Sequence, residues 1–184
     1  MGEFVHDERH RYSYELRPDA DLDRRLRDVA LELEAEGLLP HGASTAPRFH
    51  PHITFVRADH ADTDLVDEIA ARLAHDPEVA FDAVGTFGGG RIAWIAPSQD
   101  RLLRATRIHV VDTLGGEEHV DPLALRRDPW TPHVTLAYSI EEPHRAAVHA
   151  HLAASLPIVG RWSIAQAWDL DVRPTRLVHE ARID

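Results

Sequence analysis

Two segments of the chain repeat a pattern of residues that can do chemistry together. Each has an aromatic residue, a proline, a histidine and a threonine in matching places, in FHPHITF (residues 49–55) and WTPHVTL (residues 130–136). Side chains i and i+2 of a strand point to the same face, so His52 lies beside Thr54, and His133 beside Thr135. Each segment therefore presents an imidazole next to a hydroxyl.

Two histidines that face one another across a cleft suit general acid–base catalysis. Because the ordinary pKa of an imidazole is about 6.5, one histidine can be neutral while the other is protonated. At a phosphodiester, the neutral one takes a proton from water and the protonated one gives a proton to the leaving oxygen. We therefore interpret His52 and His133 as the catalytic pair, and Thr54 and Thr135 as donors to the phosphate oxygens.

Three further residues near these segments have candidate roles. His50 precedes His52 by two residues, and two imidazoles on one strand face can bind a transition metal. The second segment has Thr131 in that place, and no carboxylate cluster accompanies the pair in the sequence. We therefore expect His50 to be a cleft-edge or surface histidine and predict no metal. Arg48 and Arg127, just upstream of the two segments, are candidates for a positive rim that binds an anionic substrate.

The predicted elements repeat in the same order. The copy around residues 11–90 contains a strand (11–18), a helix (19–39), the first histidine strand (48–57), a helix (62–77) and a strand (79–87). The copy around residues 91–184 contains a strand (91–97), a helix capped by Ser98 (98–116), the second histidine strand (129–138), a helix (141–156) and two strands.

This duplication predicts one domain over residues 1–184, built from two interleaved lobes. FDAVGTF matches WSIAQAW at an offset of 81 residues, which is also the offset between the two histidines. A pseudo-twofold axis between the lobes would bring both His–Thr pairs into one cleft.

Composition limits the classes of protein to which the chain can belong. The 184 residues are 43% hydrophobic and 28% charged, as in soluble globular proteins, and contain no cysteine. All twenty basic residues are arginine, so a P-loop lysine and a lysine–nucleotide intermediate are excluded. The net charge of −11 argues against binding long duplex nucleic acid, but it permits a small nucleotide or an RNA end. No run of about 20 apolar residues is present, and we expect a cytoplasmic protein with no membrane partner.

HITF and HVTL, about 80 residues apart, resemble the paired H-x-T-x motifs of the 2H phosphoesterase superfamily. This superfamily includes LigT-like 2′-5′ RNA ligases and cyclic nucleotide phosphodiesterases, and the resemblance covers roughly residues 10–182. It implies a bilobal α+β fold with an antiparallel sheet in each lobe and a central cleft. It also implies metal-independent hydrolysis of 2′,3′-cyclic phosphates or 2′-5′ linkages, as in RNA processing.

The chain departs from the LigT-like pattern at one place. Several members have an arginine shortly after the second motif, where this chain has Tyr138, and Arg57 holds the equivalent place after the first. Strict strand alternation would put both side chains on the face opposite the histidines, so a substrate-binding role for either would require a bulge.

The expected function is therefore that of a cofactor-free, monomeric phosphodiesterase acting on a small nucleotide or RNA end. In this interpretation His133 activates water and His52 protonates the leaving oxygen. Two alternatives stay open: a non-catalytic module that binds nucleotides or RNA ends, and a metal-dependent hydrolase that uses His50 and His52.

Overall fold

Strands and helices alternate along most of the chain. The computed structural model of the protein describes residues 11–43, 49–116, 119–120, 130–172 and 174–184. Within them the strands are β1 (Tyr12–Pro18), β2 (Ile53–Ala58), β3 (Glu78–Phe87), β4 (Ile92–Pro97), β5 (Val134–Ala137), β6 (Ile158–Asp169) and β7 (Arg176–Arg182). The α-helices are α1 (Ala20–Ala35), α2 (Thr63–Leu73), α3 (Arg101–Thr113) and α4 (Arg145–Ala154). The fold is α+β, as the sequence predicts.

The strands form one antiparallel sheet with two halves joined by β6. The order is β2-β1-β6-β3-β4-β5, and β7 also pairs with β6. The first residues of β6 pair with β3, and the remainder pairs with β1 and β7. One half therefore consists of β2, β1, β6 and β7, and the other of β6, β3, β4 and β5.

The pairing of β3 with β6 has the register that a duplicated chain requires. Val79 lies opposite Gly160, and these two residues are 81 positions apart, like the two histidines. β1 of the first copy pairs with β6 of the second copy, and β4 of the second copy pairs with β3 of the first. Each half of the sheet therefore contains two strands of one copy and a third strand of the other. We infer that the chain is a single domain in which two copies interleave around this pair.

The helices follow the same exchange and cover the apolar side of the sheet. α2 packs on β6 and β7, and α3 packs on β2. α1 packs on β5 and β6, and α4 packs on β3 and β4. The residues that flank each motif threonine are at most 1% exposed: Ile53, Phe55, Val134 and Leu136. They anchor the motif strands to the core, as predicted. No helix among the described residues is long and apolar enough to cross a membrane.

Three predicted details of the elements are wrong. β2 begins at Ile53 and β5 at Val134, so both motif histidines lie one residue before the paired strand. Each histidine follows a proline, whose nitrogen has no hydrogen to donate to a strand ladder. Ser98 does not cap α3, because the helix begins at Arg101. The backbone amide of Ser98 instead donates to the Asp82 carboxylate at 2.8 Å.

Gly160 provides a test of the central strand pair. A Cβ atom added there would lie 2.7 Å from the Cβ atom of Leu22, which is fully buried in α1. Although the first copy has Val79 in this place, we expect Gly160→Val to lower the free energy of unfolding by about 1–3 kcal/mol through overpacking. Urea unfolding followed by circular dichroism measures the change.

Val159→Ala is the matched control, because this neighbouring side chain is 52% exposed. Its unfolding free energy should change by less than about 0.5 kcal/mol. An unchanged urea midpoint for Gly160→Val would contradict the close packing of α1 against β6.

Candidate active site

The first motif strand contains a β-bulge directly after its threonine. Against β1, Thr54 pairs with Glu15 and Val56 pairs with Tyr14, which leaves Phe55 as the extra residue. Phe55 and Val56 are both buried, so two successive side chains point into the core. A bulge moves every later side chain of the strand to the opposite face.

The second motif strand has the same bulge at the equivalent place. Against β4, Thr135 pairs with Trp94 and Ala137 pairs with Ala93, which leaves Leu136 as the extra residue. Leu136 and Ala137 are both buried. Phe55 and Leu136 are themselves 81 positions apart, so the distortion is repeated with the motif.

These bulges change the assignment of Arg57 and Tyr138. Both residues are exposed, and after the bulge they lie on the same face as Thr54 and Thr135. The prediction that alternation puts them on the opposite face is therefore wrong. Each half of the site presents a histidine, a threonine and one further polar side chain, Arg57 or Tyr138.

Both motif histidines are held in one orientation by their own backbone. The Nδ1 atom of His52 lies 2.8 Å from the carbonyl oxygen of His50, and that of His133 lies 2.8 Å from the carbonyl oxygen of Thr131. A carbonyl oxygen only accepts, so both Nδ1 atoms carry a proton and donate. In the neutral form of each ring, Nε2 is therefore the nitrogen that carries no proton.

Arginines on the helices fix the start of both motifs. Arg27 of α1 donates to the Phe49 carbonyl oxygen at 2.6 Å and lies over the Phe49 ring. Arg104 of α3 donates to the Trp130 carbonyl oxygen, and Arg107 lies over the Trp130 ring. The aromatic residue of each motif is thus fixed at both its backbone and its ring. We assign these three arginines a positioning role rather than one in substrate binding.

The surroundings of His52 include a buried carboxylate that the sequence did not reveal. Glu15 of β1 is 5% exposed, and its Oε1 atom lies 3.7 Å from Nε2 of His52. Its oxygens accept hydrogen bonds from the Ser13 hydroxyl at 2.8 Å and the Gln166 amide at 3.2 Å. The register of β1 on β2 brings it beside the motif, and no spacing within the sequence indicates that register.

Glu15 is ionised at neutral pH. Burial raises the pKa of this carboxyl group, but His52, His50 and the Ser13 hydroxyl outweigh that effect and lower the pKa to about 2. Burial lowers the pKa of His52, and the negative charge of Glu15 opposes that shift. A phosphate group entering the cleft would add a second negative charge, which favours the protonated form of His52.

The surroundings of His133 are aromatic instead. Phe87 lies edge-on to its ring at 4.9 Å, and the Trp94 ring centroid lies at 5.7 Å. The Trp94 indole covers Gly85, where a Cβ atom would lie 2.1 Å from the ring. Trp94 pairs with Thr135 as Glu15 pairs with Thr54, so the equivalent strand positions hold an indole in one half and a carboxylate in the other.

Tyr138 connects the two halves of the site. Although Tyr138 is 52% exposed, partial desolvation of its hydroxyl group raises the pKa of that group. A hydrogen bond with Thr135 opposes the rise. The same pKa is lowered by the charge of Arg57 and raised by that of Glu15, both from the other half. Arg57 and Glu15 of one half are therefore close enough to Tyr138 of the other half to influence it electrostatically.

The remaining predicted site residues differ in what the structure says of them. Arg48 and Arg127 lie outside the described residues. His50 is half-buried, and its Nε2 atom lies 3.5 Å from Oε2 of Glu15. The expectation that no carboxylate accompanies His50 and His52 is therefore wrong, because Glu15, His50 and His52 bring their ligand atoms within 4.8 Å of one another. These three residues could hold a metal ion.

Comparison with known proteins identifies the family. The family model of the 2′-5′ RNA ligase superfamily matches residues 18–168, which is most of the chain. The chain belongs to this superfamily. No curated protein sequence gives a significant match.

Solved structures of E. coli LigT share the fold. Its complex with 3′-AMP has a TM-score of 0.53 and 15% sequence identity, covering 95% of this chain and 98% of LigT. The NADP⁺ complex has a TM-score of 0.53 at 14% identity, covering 95% and 98%, and the phosphate complex 0.51 at 13%, covering 95% and 97%. At these identities the comparison shows that the two proteins share a fold. Nearly the full length of both chains is aligned.

Gly85→Ala tests how the aromatic half of the site is built. Because an added methyl group would overlap the Trp94 ring, we expect the indole to move away from His133 and stability to fall by about 1–3 kcal/mol. The chain has four tryptophans, so a ¹⁵N-correlated NMR spectrum should show four indole signals, with that of Trp94 assigned by Trp94→Phe.

Thr86→Ala, at the exposed neighbouring position, should leave the indole signal of Trp94 in place. If Gly85→Ala also left that signal unmoved, the packing of Trp94 over Gly85 would be refuted.

Proposed function

We propose that the chain is a metal-independent phosphodiesterase that hydrolyses a 2′,3′-cyclic phosphate or a short 2′-5′-linked nucleotide or RNA end. The observation that carries this proposal is the duplicated half-site. In both halves an Nδ1–H group donates to the carbonyl oxygen two residues earlier at 2.8 Å, so both rings direct Nε2 away from their own backbone. Membership of the 2′-5′ RNA ligase superfamily supports the reaction class.

We assign different roles to the two histidines, and the charge beside His52 distinguishes them. Burial lowers the pKa of His52, and the ionised Glu15 beside it opposes that shift, so we assign His52 the proton that Nε2 donates to the leaving oxygen. His133 lies among Phe87 and Trp94, and its neutral Nε2 takes a proton from the attacking water. This assignment gives the pseudo-symmetric cleft a direction.

The polar groups beside the histidines bind the phosphate. The hydroxyls of Thr54 and Thr135 donate to the non-bridging oxygens, where negative charge grows in the transition state. The two bulges bring Arg57 and Tyr138 to the face of Thr54 and Thr135, where they add a guanidinium group and a phenol. Arg57 also supplies local positive charge in a protein whose net charge is −11.

A pocket next to Tyr138 is suited to the nucleoside part of the substrate. Its volume is about 280 Å³, and apolar side chains dominate its lining, which consists of Leu39, Pro40, Ala43, Phe49, Leu136, Tyr138 and Ser139. Small-molecule sites are concave and mostly apolar, with a few polar groups that orient the ligand. Because E. coli LigT has been solved with 3′-AMP, with phosphate and with NADP⁺, we propose a ligand of the same small-nucleotide class.

The catalytic assignment predicts the outcome of a hydrolysis assay with 2′,3′-cyclic nucleotides in excess EDTA. Wild-type protein should turn over the substrate. His52→Ala and His133→Ala should each lower kcat by about 10²–10⁴-fold, since each removes one proton transfer.

His149→Ala is the control, because this histidine is exposed on α4 and should be dispensable. Binding of a nucleotide without turnover would support the non-catalytic alternative. Turnover that disappears in EDTA would support a metal-dependent hydrolase, and either result would refute the proposed mechanism.

Arg57 is predicted to act on substrate binding more than on the chemical step. Arg57→Ala should raise KM by about 10-fold, the factor that a charge-assisted hydrogen bond of about 1.4 kcal/mol represents, with a smaller change in kcat. Steady-state kinetics on a cyclic nucleotide separates the two constants.

Arg72→Ala removes an exposed arginine of α2 and serves as the charge-matched control. If Arg57→Ala behaved like this control, the phosphate contact assigned to Arg57 would be incorrect.

A further inference from the structure

The half of the site built on β1 and β2 carries two ligand-type groups at positions where the other half has different residues. Glu15 stands where the second copy has Trp94, and His50 stands where it has Thr131. Both lie next to His52. Glu15 serves the acid–base scheme as the charge beside His52, but that scheme gives the His50 side chain no role, so the grouping of all three side chains requires a separate explanation.

The distances among these three side chains match a shared cation better than hydrogen bonds. Glu15 Oε2 lies 3.5 Å from His50 Nε2, and Glu15 Oε1 lies 3.7 Å from His52 Nε2. Both exceed the usual hydrogen-bond range of about 2.7–3.2 Å. Bonds of about 2.0–2.1 Å in a tetrahedral zinc site put the ligand atoms roughly 3.3 Å apart, so only small movements would close the three atoms around an ion.

The groups that orient metal ligands are also in place. The Nδ1–H of His52 donates to a backbone carbonyl, which leaves the lone pair of Nε2 free for a metal. Ser13 and Gln166 each donate to one oxygen of Glu15, which fixes the carboxylate and leaves acceptor capacity on both oxygens. The Nε2 atom of His50 is buried and makes no hydrogen bond with any described residue.

Charge and access are compatible with a divalent ion. The His50 and His52 side chains are 29% and 25% exposed, so both imidazoles lie near the surface, although Nε2 of His50 is itself buried. Arg17, two residues after Glu15 on β1, is an opposing positive charge. Its guanidinium group lies 3.4 Å from the Asp23 carboxylate, which offsets part of that charge.

We propose that Glu15, His50 and His52 form a zinc site that inhibits the enzyme. Two imidazoles and a carboxylate are a ligand set that zinc accepts, with a fourth position left for water. Zinc on Nε2 of His52 occupies the atom that must carry the catalytic proton, so the bound form cannot protonate the leaving oxygen. The binding stands on geometry alone, whereas the inhibition rests on the proposed function.

His50→Thr is the decisive variant, because it installs the residue that the second copy uses. The carbonyl oxygen that holds His52 belongs to the backbone, and the carbonyl oxygen of Thr131 does the same for His133. The variant should therefore keep the activity measured in EDTA. Its affinity for Zn²⁺ at this site should fall by at least about 100-fold, since a ligand is removed.

A second group on the surface must be separated from this one. Asp59, His60 and His119 also bring their ligand atoms within 4.8 Å of one another. His60→Ala removes that group and leaves the proposed site intact. Zinc affinity is measured by competition with a chromophoric chelator on EDTA-treated, dialysed protein, so the binding readout does not depend on turnover.

The proposal predicts that Zn²⁺ inhibits wild type and His60→Ala, and that His50→Thr is resistant, whereas Mg²⁺ has no effect on any of them. Equal zinc affinity and equal inhibition in His50→Thr would overturn the site. Zinc binding that increases turnover would overturn the inhibition. A protein with no turnover at all would refute the proposed function, while the chelator competition would still decide whether the site exists.

Thermal unfolding of His50→Thr, with His50→Gln as a second variant, shows whether loss of binding reflects loss of fold.

Discussion

The antiparallel pairing of β3 with β6 is the contact on which the rest of the structure depends. Val79 and Gly160 face one another at its centre, and Leu22 of α1 packs directly on Gly160. Because β6 continues from this pair into the other half of the sheet, both halves are fixed relative to one strand. Because the third strands are exchanged, β2 and β5, which follow the two motif histidines, occupy equivalent positions at the two ends of the strand order. The β3–β6 pair thus connects the two halves that carry the motifs.

The duplication creates a symmetric frame, and a few side chains make it asymmetric. The backbone of the two motifs matches down to the bulge after each threonine. One difference lies on the neighbouring strands, where Glu15 in one half corresponds to Trp94 in the other. Others lie in the motif segments, where Arg57 corresponds to Tyr138. A carboxylate favours a charged imidazole, and Glu15 supplies one beside His52. A pair of equivalent histidines can acquire distinct acid and base roles in this way while the backbone stays symmetric.

The sequence predicted the element order and the α+β class because these depend on local pattern and on the 81-residue offset. The bulges could not be predicted, since one extra residue in a strand leaves the H-x-T-x spacing unchanged. Arg57 and Tyr138 were therefore assigned to the wrong face. Glu15 was missed for a related reason: its place beside His52 follows from the register of β1 on β2, and neither strand alone contains that information. Ser98 failed as a cap because Asp82 binds it instead.

The central claim is that one phosphate is bound by both halves of the cleft. A crystal structure of the chain with a 2′- or 3′-nucleoside monophosphate, grown in EDTA, tests it most directly. The account predicts that Nε2 of His52 and Nε2 of His133 both lie about 2.6–3.2 Å from oxygens of the same phosphate, with the threonine hydroxyls in contact. A phosphate held by one half alone, with the two Nε2 atoms more than about 10 Å apart, would contradict it, since two such distant groups cannot hydrogen-bond to one phosphate.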